Sequence, residues 1–302
     1  MSERWSAALE AAAAAPLTLV LGATDTGKST LVTRLAGALA GTGHTVGVVD
    51  ADLGQSDVGP PTTVGLGRVR RSLARLADAE LIGLEFLGVT SPATCMEETA
   101  AATGRLVRRA LDTGCDRVLV DTSGLVEGPF GRALKRLKID RVAPDVLVAL
   151  QRAEECEPIL RAYVEASRGA IVRLPAAPTT RRSASARRHA RRRALEAHLA
   201  GAVPVTLDLT RVAARPAPAA RGLAVIDVEG TLVGLETREG CTLGLGWVRA
   251  IDAARGRLTV DTRVDGSRIA AVAIGRERYY HYQCGWSAAA AHPERTQKGD
   301  TG

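Results

Sequence analysis

Aromatic residues, closely spaced cysteines and long apolar runs are scarce or missing in this sequence of 302 residues. Only 3% of the residues are aromatic, and the five cysteines are scattered, with no C-x-x-C spacing. This pattern argues against a disulfide framework or a zinc site, so we expect small core thiols in a reducing cytoplasm. The Ala-rich start is broken by Pro16 and is too short to cross a bilayer. We therefore expect neither export nor a membrane segment.

Acidic residues are also missing from residues 166–195, a stretch that contains nine arginines. Subtracting these nine from the formal net charge of +7 leaves −2 for the rest of the chain. The basic charge is therefore one local patch. A polyanion partner and a solvated basic helix both explain such a patch, and composition alone does not decide between them.

The first two thirds of the sequence alternates strand and helix patterns, as a mainly parallel α/β sheet does. The predicted strands are 17–21, 45–49, 84–87, 117–120, 145–150 and 170–174. The predicted helices are 2–14, 31–41, 96–113, 129–138, 154–167 and 185–200. After Gly201 the pattern changes to short strands, predicted at 203–210, 223–228, 232–237, 242–252, 257–264 and 269–276, with Pro216 in a loop. We expect an α/β domain over 1–201, a small all-β domain over 202–283 and a disordered tail over 284–302.

The segment 22–30 is a complete G-x-x-x-x-G-K-[ST] loop between a predicted strand and a predicted helix. Its members are Gly22, Ala23, Thr24, Asp25, Thr26, Gly27, Lys28, Ser29 and Thr30. In such a loop backbone amides surround a phosphate at a helix N-terminus. Lys28 would reach the β- and γ-phosphates, and the Ser29 hydroxyl would hold Mg²⁺. A chance Gly-rich turn would not have this context, so the loop predicts a nucleoside triphosphate site.

Carboxylates follow the second and fourth predicted strands of this core. Asp50 and Asp52 come after the strand at 45–49, where one carboxylate can hold Mg²⁺ or accept a proton from an attacking hydroxyl. A single aspartate at a strand end is often only a helix cap. A cap does not account for two aspartates that are followed by Gly-Gln. We expect Asp52 to do the chemistry and Asp50 to support it. Asp121, after the strand at 117–120, competes with Asp52 for the metal or shares it.

These motifs occur in an order that resembles the polynucleotide 5′-hydroxyl kinase family, the P-loop kinases of the mRNA cleavage factor, tRNA splicing and ribosomal RNA processing. The matching elements are the phosphate loop, Asp-x-Asp-x-Gly-Gln at 50–55, Thr-Ser-Pro at 90–92 and Asp-Thr-Ser-Gly-Leu-Val-Glu-Gly at 121–128. The segment 182–191 is similar to that family's arginine lid, and 244–275 to its C-terminal β domain. The chain looks like a short prokaryotic-like member without the N-terminal β domain.

The resemblance implies a role for each matching position. The fold would be a P-loop NTPase with an Arg-rich helical lid over about 178–200, followed by the small β domain. Lys28 and Ser29 would bind the triphosphate and Mg²⁺, and Asp52 would be the general base. The lid arginines would be Arg182, Arg187 and Arg191, of which the last two share a helix face. The substrate contacts would be Gln55, Ser91, Gly124 and Leu125.

The resemblance therefore implies ATP- or GTP-dependent transfer of a phosphate to the 5′-hydroxyl of RNA or DNA. Leu125 stands where the family carries a tryptophan that stacks on the terminal base, and Ser91-Pro is equally a plain turn. One alternative is a nucleotide-bound RNA-binding scaffold with little kinase activity, which Leu125 favours. Another is a switch-type NTPase, in which the arginine lid has no role. The sequence does not identify protein partners.

Overall fold

A computed structural model of the chain describes residues 5–165, 169–177, 182–221 and 228–279. Within these ranges the chain forms two β-sheets and six α-helices. The helices are α1 Ser6–Ala14, α2 Lys28–Gly41, α3 Met96–Asp112, α4 Gly128–Val142, α5 Glu157–Glu165 and α6 Ala184–Leu199. Each of them overlaps a predicted helix, and α4 extends four residues beyond the predicted end.

The first sheet has seven strands: β1 Leu17–Gly22, β2 Val46–Ala51, β3 Thr63–Val69, β4 Glu80–Phe86, β5 Arg117–Thr122, β6 Val146–Gln151 and β7 Ala170–Pro175. Their order is β4-β3-β2-β5-β1-β6-β7. β3 runs opposite to the other six strands of this sheet, so the carboxyl ends of those six lie along one edge. The predicted, mainly parallel sheet is confirmed, and loops at this edge are placed to bind a ligand.

The prediction missed β3 because its sequence contains two glycines, which are usually depleted in strands. They are needed here because Val58 crosses the strand. A Cβ atom at Gly65 would lie 1.9 Å from the Val58 carbonyl oxygen, and one at Gly67 would lie 3.1 Å from a Val58 methyl group. Close approach of another segment of backbone is a common reason for glycine inside a strand.

Helices cover both faces of the first sheet. One apolar cluster packs α3, α4 and α5 on one face, and a second packs α1 and α2 on the other. Trp5, Ala8 and Ala12 are buried in the second cluster, and the Arg34 guanidinium lies 4.8 Å from the Trp5 ring centroid. The predicted N-terminal helix packed on the domain is therefore confirmed for α1.

The second sheet consists of β8 Val203–Asp208, β9 Ala213–Pro216, β10 Thr231–Glu236, β11 Thr242–Asp252, β12 Arg257–Thr262 and β13 Ala271–Arg278. Their order is β8-β12-β11-β10-β13-β9, and the pairing is antiparallel except for β13 with β9. Pro216 ends β9, so its predicted place in a loop is wrong. Proline has no backbone N–H to donate, and an edge strand tolerates it because no outer strand needs a donor there. Most of the strand predicted at 223–228, and the whole of the tail predicted over 284–302, lie outside the described residues.

The second sheet packs against β4 and the lid helix. Phe86 of β4 lies over Gly234, where a Cβ atom would be 2.6 Å from the ring, and the Arg276 N–H donates to the Gly88 carbonyl at 2.8 Å. Leu195 and Leu199, at the end of α6, join the same apolar cluster. The lid helix is thus anchored at its C-terminal end to both sheets.

Two expectations from composition concern cysteines and membranes. Cys95, Cys115 and Cys156 are buried free thiols, as expected, whereas Cys241 is exposed, so its expected core position is wrong. Among the described residues, no helix combines the length and apolarity needed to cross a bilayer.

Candidate active site

The phosphate loop connects β1 to α2, and its two glycines meet different needs. A Cβ atom at Gly22 would lie 2.5 Å from the Leu150 carbonyl oxygen of β6, so the neighbouring strand leaves no room for a side chain. Gly27 caps α2 with φ 93°, a left-handed conformation that favours glycine. The loop therefore turns tightly from the sheet into the first turn of α2.

Lys28 lies inside this loop. Its ammonium donates to the Ala23 carbonyl at 2.8 Å, and the Thr26 hydroxyl donates to the same carbonyl at 2.9 Å. The Lys28 side chain is buried, and burial lowers its pKa. A buried cation at a helix N-terminus is an anion site, which fits a bound phosphate.

A cavity of about 1230 Å³ opens beside the loop, between the carboxyl ends of β2 and β5 and the lid helix α6. Most of the predicted site residues line it. They are Thr24, Asp25, Gly27, Lys28, Ser29, Thr30, Asp52, Gln55, Gly124, Leu125, Arg182, Arg187 and Arg191. The structure thus brings the phosphate loop, the β2 turn and the lid arginines together around one space.

Asp121 lies behind Ser29, which lines this cavity, and is itself buried. Its Oδ2 accepts a hydrogen bond from Ser29 Oγ at 2.6 Å, and its buried Oδ1 has no hydrogen-bond partner within the described ranges. Burial raises the pKa of Asp121 to about 6, against the opposing effect of the Lys28 charge. A hydroxyl and a carboxylate with a free oxygen are ligands that suit Mg²⁺.

No cluster of three or more His, Cys, Asp or Glu side chains forms a metal site in the described parts of the chain. Mg²⁺ is commonly held by one or two carboxylates together with substrate phosphates rather than by a protein cage. Ser29 and Asp121 therefore fit a magnesium ion that arrives with a nucleotide.

Asp50 organises the turn after β2. Its carboxylate accepts hydrogen bonds from the backbone N–H groups of Asp52, Asp57 and Val58 at 3.0, 2.6 and 3.1 Å, and from the Ser56 hydroxyl at 3.2 Å. Burial raises the pKa of Asp50 well above its usual range, and the neighbouring carboxylates add to this effect. Asp50 is thus placed to support the turn rather than to contact a ligand.

Asp52 lies at the cavity wall on this turn. Its Oδ1 accepts hydrogen bonds from the backbone N–H groups of Gly54 at 2.9 Å and Gln55 at 3.1 Å. A Cβ atom at Gly54 would lie 2.8 Å from the Thr90 carbonyl oxygen, so the loop after β4 supports the turn from behind. The Asp52 carboxylate is therefore fixed in direction and open to the cavity.

The first turn of the lid helix contacts both other parts of the site. Asp25 Oδ2 accepts hydrogen bonds from the Arg187 guanidinium at 3.3 Å and from the Arg182 backbone N–H at 3.1 Å. The Gln55 amide donates to the Arg187 carbonyl at 3.3 Å. Arg191, one turn further, lines the same cavity. Of the arginines predicted for the lid, Arg182 and Arg187 thus contact the phosphate loop, and Arg191 faces the same cavity.

The loop after β5 packs directly on the phosphate loop, because a Cβ atom at Gly124 would lie 2.5 Å from the Thr24 backbone. Leu125 follows it and is 36% exposed. Ser91 does not line the cavity: it is exposed and its hydroxyl caps a short 3₁₀ turn, accepting from Ala93 N–H at 3.5 Å. Its contact with a substrate stays a prediction, and the geometry does not support it.

Three cations near the site were missed by sequence reasoning. Arg152, in the turn after β6, donates to the Asp25 carbonyl at 2.6 Å and so holds the phosphate loop. Lys135 and Lys138 of α4 are fully buried behind the β2 and β5 ends. Both lysines fall within the apolar stripe of α4, and that position is the signal that could have identified them.

The fold and the site define a P-loop nucleotide-binding protein. The model of the family described as mRNA cleavage and polyadenylation factor CLP1 P-loop matches residues 22–201, more than half of the sequence. The chain belongs to this family, which confirms the predicted resemblance.

Curated relatives carry one name. A polyribonucleotide 5′-hydroxyl-kinase of Pyrococcus horikoshii is 35% identical over 145 residues, which are 48% of this chain and 40% of that protein. One from Thermococcus kodakarensis is 30% identical and covers 87% of this chain and 88% of its own length. The chain thus spans about two fifths of the first relative and most of the second.

Solved structures with the same fold match most of the chain. The wild-type Clp1p–Pcf11p complex contains a chain with a TM-score of 0.69 and 14% identity, covering 87% of this chain and 74% of that one. At this identity the match supports the fold alone.

Proposed function

We propose that this protein is a polynucleotide 5′-hydroxyl kinase that transfers the γ-phosphate of ATP or GTP to the 5′-hydroxyl of RNA or DNA. The observation that carries the proposal is that Lys28, Asp52, Arg187 and Arg191 line one cavity. A phosphate-binding lysine, a candidate base and flanking guanidinium groups are the parts that phosphoryl transfer needs. The name of the relatives favours RNA as the acceptor.

In this proposal each side chain has one role. Lys28 binds the β- and γ-phosphates. Asp52 accepts the proton of the 5′-hydroxyl as the 5′ oxygen bonds to the γ-phosphorus and the bond from that phosphorus to the β-phosphate oxygen breaks. Arg187 and Arg191 stabilise the negative charge on the transferring group, and Arg182 helps to close the lid. Ser29 and Asp121 would hold Mg²⁺, which when bound neutralises charge on the phosphates.

The same proposal covers the organisation of the chain. Residues 1–201 would form the kinase domain, with a lid at about 178–200, and residues 202–283 a second, all-β domain. Support comes from the change of sheet between β7 and β8 and from the arginines of α6 beside the cavity. The nine-arginine segment would bind the acceptor backbone, which makes acceptor binding salt-dependent.

One observation favours a second candidate, a nucleotide-bound RNA-binding scaffold with little transfer activity. Leu125 lies at the cavity without the aromatic surface on which a terminal base would stack. Against this candidate, a scaffold has no use for Asp52 and two arginines arranged around a phosphate site.

Labelling of oligonucleotides tests the proposal. The protein, Lys28→Ala and Asp52→Asn would be incubated with γ-labelled ATP or GTP and 5′-hydroxyl RNA or DNA oligonucleotides. Arg108→Ala, an exposed arginine of α3 that lies outside the nine-arginine segment and does not line the cavity, is the matched control. We expect label in the oligonucleotide with the unaltered protein and the control, and none with the other two variants. Tight nucleotide and RNA binding without transfer would support the scaffold instead.

A further inference from the structure

Lys135 and Lys138 are the two largest fully buried side chains of the described residues, each 0% exposed. A buried ammonium is costly unless opposite charge or hydrogen bonds replace its water. Neither lysine takes part in the ion pairs found within the described ranges. Leucine or methionine would fill such positions in an ordinary helix–sheet core. The two charges therefore need a physical reason.

Hydrogen bonds to two strand ends supply that reason. Lys138 Nζ donates to the Ala51 carbonyl at 2.8 Å. Lys135 Nζ donates to the Ser123 carbonyl and lies 3.3 Å from Ser123 Oγ. The spacing of three residues puts both lysines on one face of α4. Because β2 and β5 are neighbours, with Ala51 opposite Thr122, one helix binds the ends of both strands.

Each of these carbonyls belongs to a segment of the candidate site. Ala51 lies between Asp50 and Asp52, so its peptide sets the direction in which the Asp52 carboxylate leaves β2. Ser123 is the first residue after β5 and precedes Gly124, whose backbone packs on the phosphate loop. Lys138 thus fixes the segment with the candidate base, and Lys135 fixes the loop beside Leu125.

The lysines also act on the charge of the site. Burial lowers the pKa of Lys138 to about 8, while the charges of Asp52, Asp50 and Asp121 act in the opposite direction. Lys138 therefore lies in the field of all three carboxylates at this edge of the sheet. An apolar residue in its place would leave these carboxylates with less opposing charge as well as an unanchored Ala51 carbonyl.

We propose that Lys138 and Lys135 are positioning residues, which hold the ends of β2 and β5 in the geometry that phosphoryl transfer requires. The link to transfer rests on the proposed function, whereas the link to local order does not. Lys138→Met and Lys135→Met remove the two hydrogen bonds and keep similar volume. Arg136→Met, on the exposed face of the same helix, is the matched control.

Steady-state kinetics and amide hydrogen exchange test this inference. We expect Lys138→Met to lower kcat for oligonucleotide phosphorylation by about tenfold or more, because a displacement of ~1 Å in a reacting group can cost about 10²-fold. KM for ATP should change by less than about threefold, since the phosphate loop keeps its own contacts. Exchange should rise at 50–57 in Lys138→Met and at 122–127 in Lys135→Met, and remain unchanged elsewhere.

Other outcomes overturn the proposal. Unchanged kcat with unchanged local exchange would show that the lysines position nothing. Exchange that rises evenly along the first sheet, with equal loss in kcat and nucleotide affinity, would reduce them to general stability. If the unaltered protein phosphorylates no oligonucleotide, the proposed function fails, and the local exchange pattern still decides this inference. If Lys138→Met does not fold, Lys138→Gln, which keeps an N–H donor, is measured by the same criteria.

Discussion

Buried charges are arranged differently in the two sheets. In the second sheet the buried carboxylates of Glu236 and Asp261 each pair with an arginine of the same sheet, Arg215 and Arg249. At the carboxyl edge of the first sheet, the buried charges form none of the ion pairs seen in the described residues; they are Lys28, Asp50, Asp121, Lys135 and Lys138. Paired charges fit a structural role, whereas charges gathered without direct pairing beside a cavity mark a functional site.

We call the carboxyl edge of the first sheet, with its cavity, the first region, and the second sheet the second region. The largest expected effect in the first region comes from a lid arginine. Arg191→Ala should lower kcat by about 10²-fold or more, because a guanidinium that stabilises the transferring phosphoryl acts mainly in the transition state. Nucleotide affinity, measured by calorimetry with ADP, should change by less than about threefold. Arg108→Ala, exposed on α3, outside the nine-arginine segment and absent from the cavity lining, is the control. Equal losses of kcat and nucleotide affinity would contradict a transition-state role.

The buried lysines of the first region give a pH-dependent prediction. The pKa of Lys138 is about 8 in the folded chain against an ordinary 10.5. Below pH 8 both states hold the proton and the full penalty of burial applies. Between pH 8 and 10.5 the folded chain releases the proton while the unfolded chain keeps it, so the penalty is relieved as pH rises. The free energy of unfolding, relative to Lys138→Met, should therefore rise by about 2 kcal/mol from pH 7 to 9.5.

Urea denaturation of both proteins at the two pH values measures this difference. Tyrosines and cysteines that titrate in the same range are common to both proteins and cancel in the comparison. A difference that stays constant, or that falls with pH, would mean that Lys138 is not held charged at a cost in the folded chain.

The first region also shows where sequence reasoning succeeds and fails. The phosphate loop was predictable because its chemistry depends on neighbouring residues, so glycines and lysine at fixed spacing define it. Asp52 was singled out by its position after a strand, and the lid arginines by the resemblance of 182–191 to the family's lid; their roles stay predictions. Lys135 and Lys138 were not found, because lysine in a helix is expected at the solvent side, and their place within the apolar stripe of α4 was overlooked.

The same reason explains the errors in the fold. Gly65 and Gly67 weaken a strand pattern, and the segment is a strand only because Val58 crosses it from outside the local sequence. Pro216 is compatible with a strand only at a sheet edge, and a sheet edge is a property of the assembled chain. Local patterns therefore predicted the parallel core, and long-range contacts decided the remainder.

In the second region, we expect that removal of one member of a charge pair lowers stability without lowering activity. Arg249→Met leaves the Asp261 carboxylate buried and unpaired, and should lower the free energy of unfolding by about 1–2 kcal/mol, less than for a fully buried pair because Arg249 is half-exposed. Under conditions where the variant is folded, kcat and KM should match those of the unaltered protein. A fall in kcat at full folding would break the distinction between the two regions.

The smallest effect concerns Leu125, the exposed apolar residue at the cavity of the first region. Leu125→Trp offers a stacking surface to the terminal base of the acceptor, and base–aromatic stacking contributes about 1–3 kcal/mol per base. Because a new side chain is not preorganised, we expect the lower end, about 1 kcal/mol, which is about a fivefold fall in KM for the oligonucleotide. Leu81→Trp, an equally exposed leucine on β4 that does not line the cavity, should leave KM unchanged. A fall in KM in both variants would indicate non-specific contact, and no fall in either would mean that the acceptor base does not reach the loop after β5.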